Sequence, residues 1–244
     1  MTTLSDDGTR FRGASPADAP AAVADDGSTA VSGAVAWARD SAIAQRPATR
    51  LPFDPHDPAA ALAQLPEAVH LLAIGIPRHR RRWPALTRLV GPLLPHLEVA
   101  LVPEGYTPRP GAPVVVTVEG SVADHGAIEA AFTSASLAAA PLVAVHCWKE
   151  PGALSFPSPA WCPIDWADQR DRECALVAER LADHSGRYPD VMVDRVIRTG
   201  QPGSALLPLA RSAQLVVIPG RDDDLLTARL SALLDDTAVP VLLT

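Results

Sequence analysis

An internal repeat is the feature that most restricts how this chain can fold. Residues 26–30 read DGSTA and residues 119–123 read EGSVA, and a glycine follows each segment at the same spacing. A second match relates residues 58–65 to residues 202–209, and both of these segments continue into an apolar stretch. Ordered self-similarity of this kind is typical of a duplicated structural unit. The sequence therefore predicts two copies of one unit.

The two copies differ in length. The first match has an offset of 93 residues and the second an offset of 144, so the first copy is shorter by about 51 residues. We expect a flexible tail at residues 1–20, where small, polar and turn-forming residues predominate, a shortened domain at residues 21–105 and a complete domain at residues 112–244.

The second copy alternates between strand and helix patterns. Its predicted strands are 114–118, 142–145, 191–197, 215–218 and 239–243. Its predicted helices are 121–138, 166–185, 203–211 and 225–234. Strands joined by helical crossovers form a parallel sheet that is covered on both faces. We predict an α/β fold of two doubly wound parallel sheets in tandem, in which the first copy omits one strand and one helix.

Composition and charge exclude several classes of protein. The chain has 28 acidic and 21 basic residues, a net charge of −7, whereas a general nucleic-acid binder needs a basic surplus. No apolar run approaches the roughly 18 residues of a membrane helix, and residues 1–10 lack the apolar core of a secretory signal. Three unpatterned cysteines do not suggest a disulfide framework. We expect a cytoplasmic protein with neither a membrane nor a nucleic-acid partner.

The ordered set of segments resembles the universal stress protein family in its tandem two-domain form. The resemblance is carried by residues 114–121 (VVVTVEGS), 141–148 (PLVAVHCW), 213–218 (AQLVVI) and 239–243 (VPVLL). It implies flavodoxin-like sheets, of the adenine nucleotide alpha-hydrolase type, that pair through their last strands. Residues 99–102 and 239–243 would then meet at the centre, and self-association through last strands is expected.

The family includes members that bind ATP or other adenine nucleotides through an Asp after the first strand and a glycine-rich loop after the fourth. In the second copy these positions hold Glu119 and Gly120, then Pro219, Gly220 and Arg221. Three carboxylates at residues 222–224 follow where a phosphate would lie, and their repulsion outweighs the gain from the arginine. We predict that this second site does not function.

The first copy keeps more of the pattern. Asp26, Gly27 and Ser28 follow its first strand, Gly75 begins its loop, and Arg78 stands at the second glycine position. Arginine side chains could contact phosphate where backbone amides are missing, but the omitted strand and helix would normally form one wall of the adenine pocket. Our main expectation is that the protein binds no cofactor and that residues 78–82 form a solvated basic loop. ATP or AMP binding in the first copy is the alternative.

The other reactive side chains do not form a catalytic or metal site. His146 and Cys147 are neighbours on a strand and point to opposite faces, so they cannot act as a base and its nucleophile. Cys162 and Cys174 lack the spacing of a zinc site. The acidic run at residues 222–224 could hold a divalent cation, although capping of the following helix is favoured.

Three tryptophans, Trp148, Trp161 and Trp166, surround a proline-rich segment. They could line a ligand or partner surface, although fixing the loop to the core is the favoured role. Together these observations predict a non-catalytic protein that acts in stress response or regulation by associating with an unidentified protein partner. A nucleotide sensor with one site in the first domain is the alternative, and an enzyme acting on adenine nucleotides ranks last.

Overall fold

The computed structural model describes residues 21–40, 48–66, 69–78, 86–121, 124–148, 166–200, 202–220 and 224–244. The tail at residues 1–20, predicted to be flexible, lies outside them. The first half of the chain contains seven elements, which are β1 (Ala21–Asp25), α1 (Val31–Asp40), β2 (Thr49–Pro52), α2 (Ala59–Leu62), β3 (Leu71–Ile76), α3 (Leu86–Val90) and β4 (Glu98–Pro103).

The second half contains five strands and four helices. They are β5 (Val114–Val118), α4 (Asp124–Leu137), β6 (Leu142–Trp148), α5 (Trp166–Arg187), β7 (Val193–Thr199), α6 (Pro202–Ala210), β8 (Leu215–Ile218), α7 (Asp224–Asp236) and β9 (Val241–Leu243). The strand predicted at residues 191–197 begins at Val193 because the Val191 N–H donates to the Tyr188 carbonyl in a turn.

The nine strands of the described residues form one sheet in the order β2-β1-β3-β4-β9-β8-β5-β6-β7. The pairs within each half are parallel, as predicted, while β4 and β9 are antiparallel, with Leu101 opposite Val241. The predicted meeting of the last strands is therefore confirmed within the chain. Since β4 also pairs with β3 and β9 with β8, neither last strand has a free edge.

The first half is a shortened version of the second, as the sequence predicts. In the second half β6 and β7 lie in turn beyond β5, whereas in the first half β2 is the one described strand beyond β1. Among the described elements, α5 has no counterpart between β1 and β3. The sheet therefore ends on one side at the short β2 and on the other at β7.

Each face of the sheet has its own hydrophobic core, and each core includes residues from both halves. Alternation along β5 places Val114, Val116 and Val118 in one core and Val115 in the other. Helices α1, α4 and α5 cover the first face, and α3, α6 and α7 cover the second. None of the helices in the described ranges combines the length and apolar character needed to cross a bilayer.

Candidate functional site

The predicted site residues lie beside the two strands at which the sheet changes its direction of winding. In the second half β5 is flanked by β6 and β8, and in the first half β1 is flanked by β2 and β3. At such a point the loops after two neighbouring strands run to opposite faces of the sheet. They leave a crevice at the carboxyl ends of the two strands, where ligands bind in open α/β sheets. The relevant loops therefore follow β5 and β8 in one half, and β1 and β3 in the other.

A carboxylate of the protein itself occupies the turn after β5. Asp124 is fully buried, and its Oδ2 accepts the main-chain N–H groups of Glu119, Gly120 and Ser121 at 3.0, 2.6 and 2.9 Å. Its Oδ1 also accepts the Ser121 hydroxyl at 3.2 Å. Converging N–H groups of this kind form a natural anion site, and here the anion is the first residue of α4.

The turn is shaped to fit this internal anion. Gly120 has a φ of +81°, a left-handed conformation that glycine adopts without strain. A Cβ at Gly120 would lie 3.5 Å from the Leu176 side chain of α5, so the turn is also covered by that helix. Glu119 and Gly120, both predicted site residues, thus face Asp124 with their main-chain N–H groups.

The loop after β8 is packed against the first half of the chain. The Gly220 N–H donates to the Thr244 carbonyl at 2.8 Å. A Cβ at Gly220 would lie 2.9 Å from the Leu94 Cδ1, so a side chain and the last residue of the chain close the space beside this glycine. Pro219 is buried, and Arg221, with residues 222–223, lies outside the described residues.

In the first half, the loop after β1 is organised by two aspartates. The Asp25 Oδ1 accepts the Gly27 N–H at 3.1 Å, and the Asp26 Oδ1 accepts the Ser28 N–H at 3.0 Å. Gly27 has a φ of +75°. The Ser28 hydroxyl oxygen is buried and has no hydrogen-bond partner among the described residues. Asp26, Gly27 and Ser28 therefore form a compact turn that precedes α1.

Gly75 lies inside β3 and touches the start of α1. A Cβ at this position would overlap the Ala30 carbonyl and lie 2.9 Å from the Val31 nitrogen. Glycine is required here because the backbone of α1 approaches the strand closely. The space beside Gly75 is therefore filled by the backbone of the adjoining helix.

A second internal carboxylate joins the loops that follow β1 and β3. Glu104 accepts the Thr29 hydroxyl at 2.7 Å through Oε1 and the Arg78 main-chain N–H at 3.0 Å through Oε2. The Arg78 guanidinium lies over Gly105, 3.1 Å from the position a Cβ would take. The two loops predicted to form the nucleotide site of the first copy are thus bridged by an anion of the protein.

Neither Asp124 nor Glu104 is among the site residues predicted from the sequence. The Ser121-x-x-Asp124 spacing matches a capping box, which could have indicated a bond between the acid and the turn. Glu104, like Glu119, directly follows a strand and precedes a glycine. This Glu-Gly sequence does not reveal which loops the Glu104 carboxylate joins.

His146 is buried at the end of β6 and is bonded at both ring nitrogens. Nδ1 donates to the Val118 carbonyl at 2.7 Å, and Nε2 lies 3.0 Å from the Glu173 Oε2. With both nitrogens engaged, the ring has no free position to act as a base. Cys147 packs against the opposite core, which confirms that the two neighbours point to different faces.

The other singled-out side chains are only partly described. Trp148 is 8% exposed and belongs to the buried core set. Cys174 is half-buried on α5, whereas Trp161 and Cys162 lie outside the described residues. Within the described ranges, no group of three or more His, Cys, Asp or Glu side chains could hold a metal ion.

Comparisons with known proteins identify related sequences. Universal stress protein Rv1996 of Mycobacterium tuberculosis is 43% identical over 125 residues, which cover 50% of this chain and 39% of the relative. Universal stress protein Rv2623 of the same organism is 36% identical over 149 residues, covering 57% of this chain and 48% of the relative. The chain thus spans less than half the length of these relatives. No family model matches it.

Solved structures show weaker similarity. One is a universal stress protein in complex with cAMP, at 20% identity and a TM-score of 0.41, with 56% of this chain and 98% of the other covered. The two curated relatives confirm the resemblance of this chain to the universal stress proteins.

Proposed function

The chain is related to the universal stress proteins, and from that premise we propose that it acts without catalysis, through association with other proteins. Both copies have lost their adenine-nucleotide sites. A role in stress response or regulation follows from the relationship.

The observation that carries the proposal is the Asp124 carboxylate, which takes up three main-chain N–H groups in the turn after β5. A hydrogen bond to a charged group contributes about 1.5–3 kcal/mol. An anionic ligand group that used this turn would have to displace all three, and would leave a fully buried carboxylate without its main-chain partners beside a second negative charge. Competition of this size favours the empty state.

The first copy supports the same conclusion by a different route. Glu104 bridges Thr29 and the Arg78 main chain, and the backbone of α1 fills the space beside Gly75. Among the described residues, loop N–H groups that could bind an anion are therefore bonded within the protein in both copies.

Calorimetric titration with ATP, ADP, AMP and cAMP tests the proposal. We expect no heat of binding up to millimolar nucleotide for the wild-type chain, and none for the matched control Asp183→Asn, which removes an exposed acid from α5. Micromolar binding to the wild-type chain would overturn the proposal. Turnover of nucleotide that persists through repeated purification would overturn its non-catalytic part.

The alternative function, an ATP or AMP sensor in the first domain, is favoured by two observations. The Ser28 hydroxyl is buried without a partner among the described residues. A cavity of about 320 Å³ lies at the carboxyl ends of β3 and β4 beside Arg78. The same cavity is lined by Glu104, Asp235 and Asp236, whose charges oppose a phosphate.

The variant Asp26→Ala distinguishes the two functions. If the sensor is correct, nucleotide binds the wild-type chain and the substitution reduces affinity at least tenfold. If the non-binding proposal is correct, wild-type and Asp26→Ala chains give the same flat titration. Glu104→Gln serves as a second variant, because it weakens the bridge between the two loops. If the Glu104 carboxylate alone blocks the site, this variant binds nucleotide although the wild-type chain does not.

A further inference from the structure

We infer that β7 is the surface through which two copies of this chain associate, pairing antiparallel about a twofold axis at Val196. The inference rests on the proposed role in protein association and names a partner for it, a second copy of the chain. It also moves self-association away from the last strands, which are already paired with each other.

β7 has one edge that no strand of the described residues pairs with. Its described partner is β6, and its even-numbered positions point toward that strand: the Leu142 N–H donates to the Met192 carbonyl at 2.8 Å, and the Gly200 N–H donates to the Trp148 carbonyl at 3.0 Å. Main-chain groups alternate in direction along a strand. The N–H and C=O groups of the odd-numbered residues, 193 to 199, therefore face outward.

The opposite edge of the sheet is a poorer template. β2 has four residues against seven in β7, and it ends in Pro52, which has no N–H to donate. Since β4 and β9 are both flanked, the longer of the two edge strands is β7.

The side chains of β7 are self-complementary in one antiparallel register. Asp194, Arg195 and Arg198 are exposed, and charges on an edge strand usually prevent pairing. With Val196 on the twofold axis, however, Asp194 lies opposite Arg198 of the second copy, and this contact occurs twice. Cross-strand pairs of opposite charge are stabilising, whereas like charges directly opposite each other are destabilising.

The direction of the main chain agrees with this register. The outward-facing residues, such as Arg195 and Ile197, fall opposite each other and would form hydrogen-bonded pairs. Asp194 and Arg198 fall in the non-hydrogen-bonded pairs, where Cα atoms are about 4.5 Å apart and side chains are closest. A register centred on Arg195 would instead place two Arg195 side chains opposite each other. A register centred on Asp194 would likewise place two Asp194 carboxylates opposite each other.

An exposed apolar side chain provides a further, independent argument. Met192 is 76% exposed, the highest value among the exposed large hydrophobic residues of the described chain. In the register centred on Val196 it lies opposite Gly200 of the second copy. Gly200 has no atoms within 4 Å of the position that a Cβ would take, so the methionine has room to be covered there.

Analytical ultracentrifugation of the full chain over a concentration series tests the charge pairing. We expect the wild-type chain to form dimers, and Asp194→Arg or Arg198→Asp to raise the dissociation constant at least tenfold. The double variant D194R/R198D should return it to within about threefold, because the pair is restored with exchanged signs. The control Asp183→Arg changes an exposed charge on α5 and should leave dimerisation unchanged.

A crosslink gives a second readout that does not depend on charge. Under oxidising conditions Val196→Cys should form a covalent dimer, since cysteines that face each other across a non-hydrogen-bonded pair fit disulfide geometry. Arg195→Cys, one position away, and the wild-type chain are the controls and should crosslink far less.

A wild-type chain that stays monomeric, or single charge reversals that leave the dimer intact, would overturn the inference. A wild-type chain that is monomeric and also fails to bind nucleotide would overturn the β7 interface. The proposal that both nucleotide sites are lost would then still stand. Nucleotide binding would have the opposite effect, since it contradicts the proposed function without touching the β7 interface.

Discussion

The Asp124 carboxylate accepts the Gly120 N–H at 2.6 Å, and this bond joins the start of α4 to the turn after β5. Acid and turn are separated by only four positions, so the contact is local, and the acid itself is fully buried. It serves two purposes, since it caps the helix and helps to satisfy the main-chain donors of the turn.

Replacing Asp124 should therefore destabilise the protein. Asp124→Ala leaves three partly buried N–H groups without their acceptor, and we expect the free energy of unfolding to fall by about 2–4 kcal/mol. Urea denaturation followed by circular dichroism measures the change. Asp183→Ala, at an exposed position on α5, is the control and should change stability by less than about 0.5 kcal/mol. Equal stability of the two variants would contradict the anchoring role.

The contact between Gly75 and α1 predicts that this glycine cannot be replaced. An added methyl group would overlap the Ala30 carbonyl, and because backbone cannot move away cheaply, Gly75→Ala should cost about 2–3 kcal/mol. Thermal unfolding measures the effect as a lower Tm.

Gly186→Ala is the matched control for that experiment. Gly186 lies in α5 with no atoms within 4 Å of the position a Cβ would take, so alanine should be neutral or stabilise by up to about 1 kcal/mol. If both alanine variants behaved alike, the close approach of α1 to β3 would be wrong.

Much of the fold can be predicted from the sequence, because the apolar pattern of a strand is clear where the strand is fully buried. Strands such as residues 114–118 are fully buried and consist almost entirely of β-branched residues. The repeat then predicts which strands correspond, and the resemblance predicts that β4 meets β9. The start of β7 was predicted less well, because half its residues are exposed and the apolar pattern weakens there.

The candidate site was harder to predict because it depends on contacts rather than on residue types. Glu104 bonds to Thr29, which is 75 positions away, and no local pattern encodes that pairing. Gly75 in the first copy suggested a phosphate loop. Its role in the structure is to let α1 pack closely against β3, and this role also requires glycine. Glycine alone therefore does not distinguish a ligand site from a close backbone contact.

Glu98 gives the protein a predictable dependence on pH. This residue begins β4 and lines a cavity of about 190 Å³ together with His70, His125, Glu129 and Leu242. Burial raises the pKa of Glu98 from 4.5 to about 7. Because the folded state holds the proton more tightly than the unfolded state does, stability decreases as the pH rises from about 4.5 to 7, and the loss is complete above that range.

Glu98→Gln removes this titration. We expect the variant to be more stable than the wild-type chain at pH 8, by up to about 3 kcal/mol, and to show little advantage near pH 4.5. Burial lowers the pKa of His184, whose Nδ1 lies 2.9 Å from the Glu129 Oε2. That shift makes stability rise with pH, so the difference between variant and wild type must be taken at each pH. Urea denaturation at pH 5, 6, 7 and 8 measures it, with Glu179→Gln, an exposed position on α5, as the control. A difference between Glu98→Gln and wild type that stays constant across this range would show that Glu98 ionises in the folded protein as it does in water.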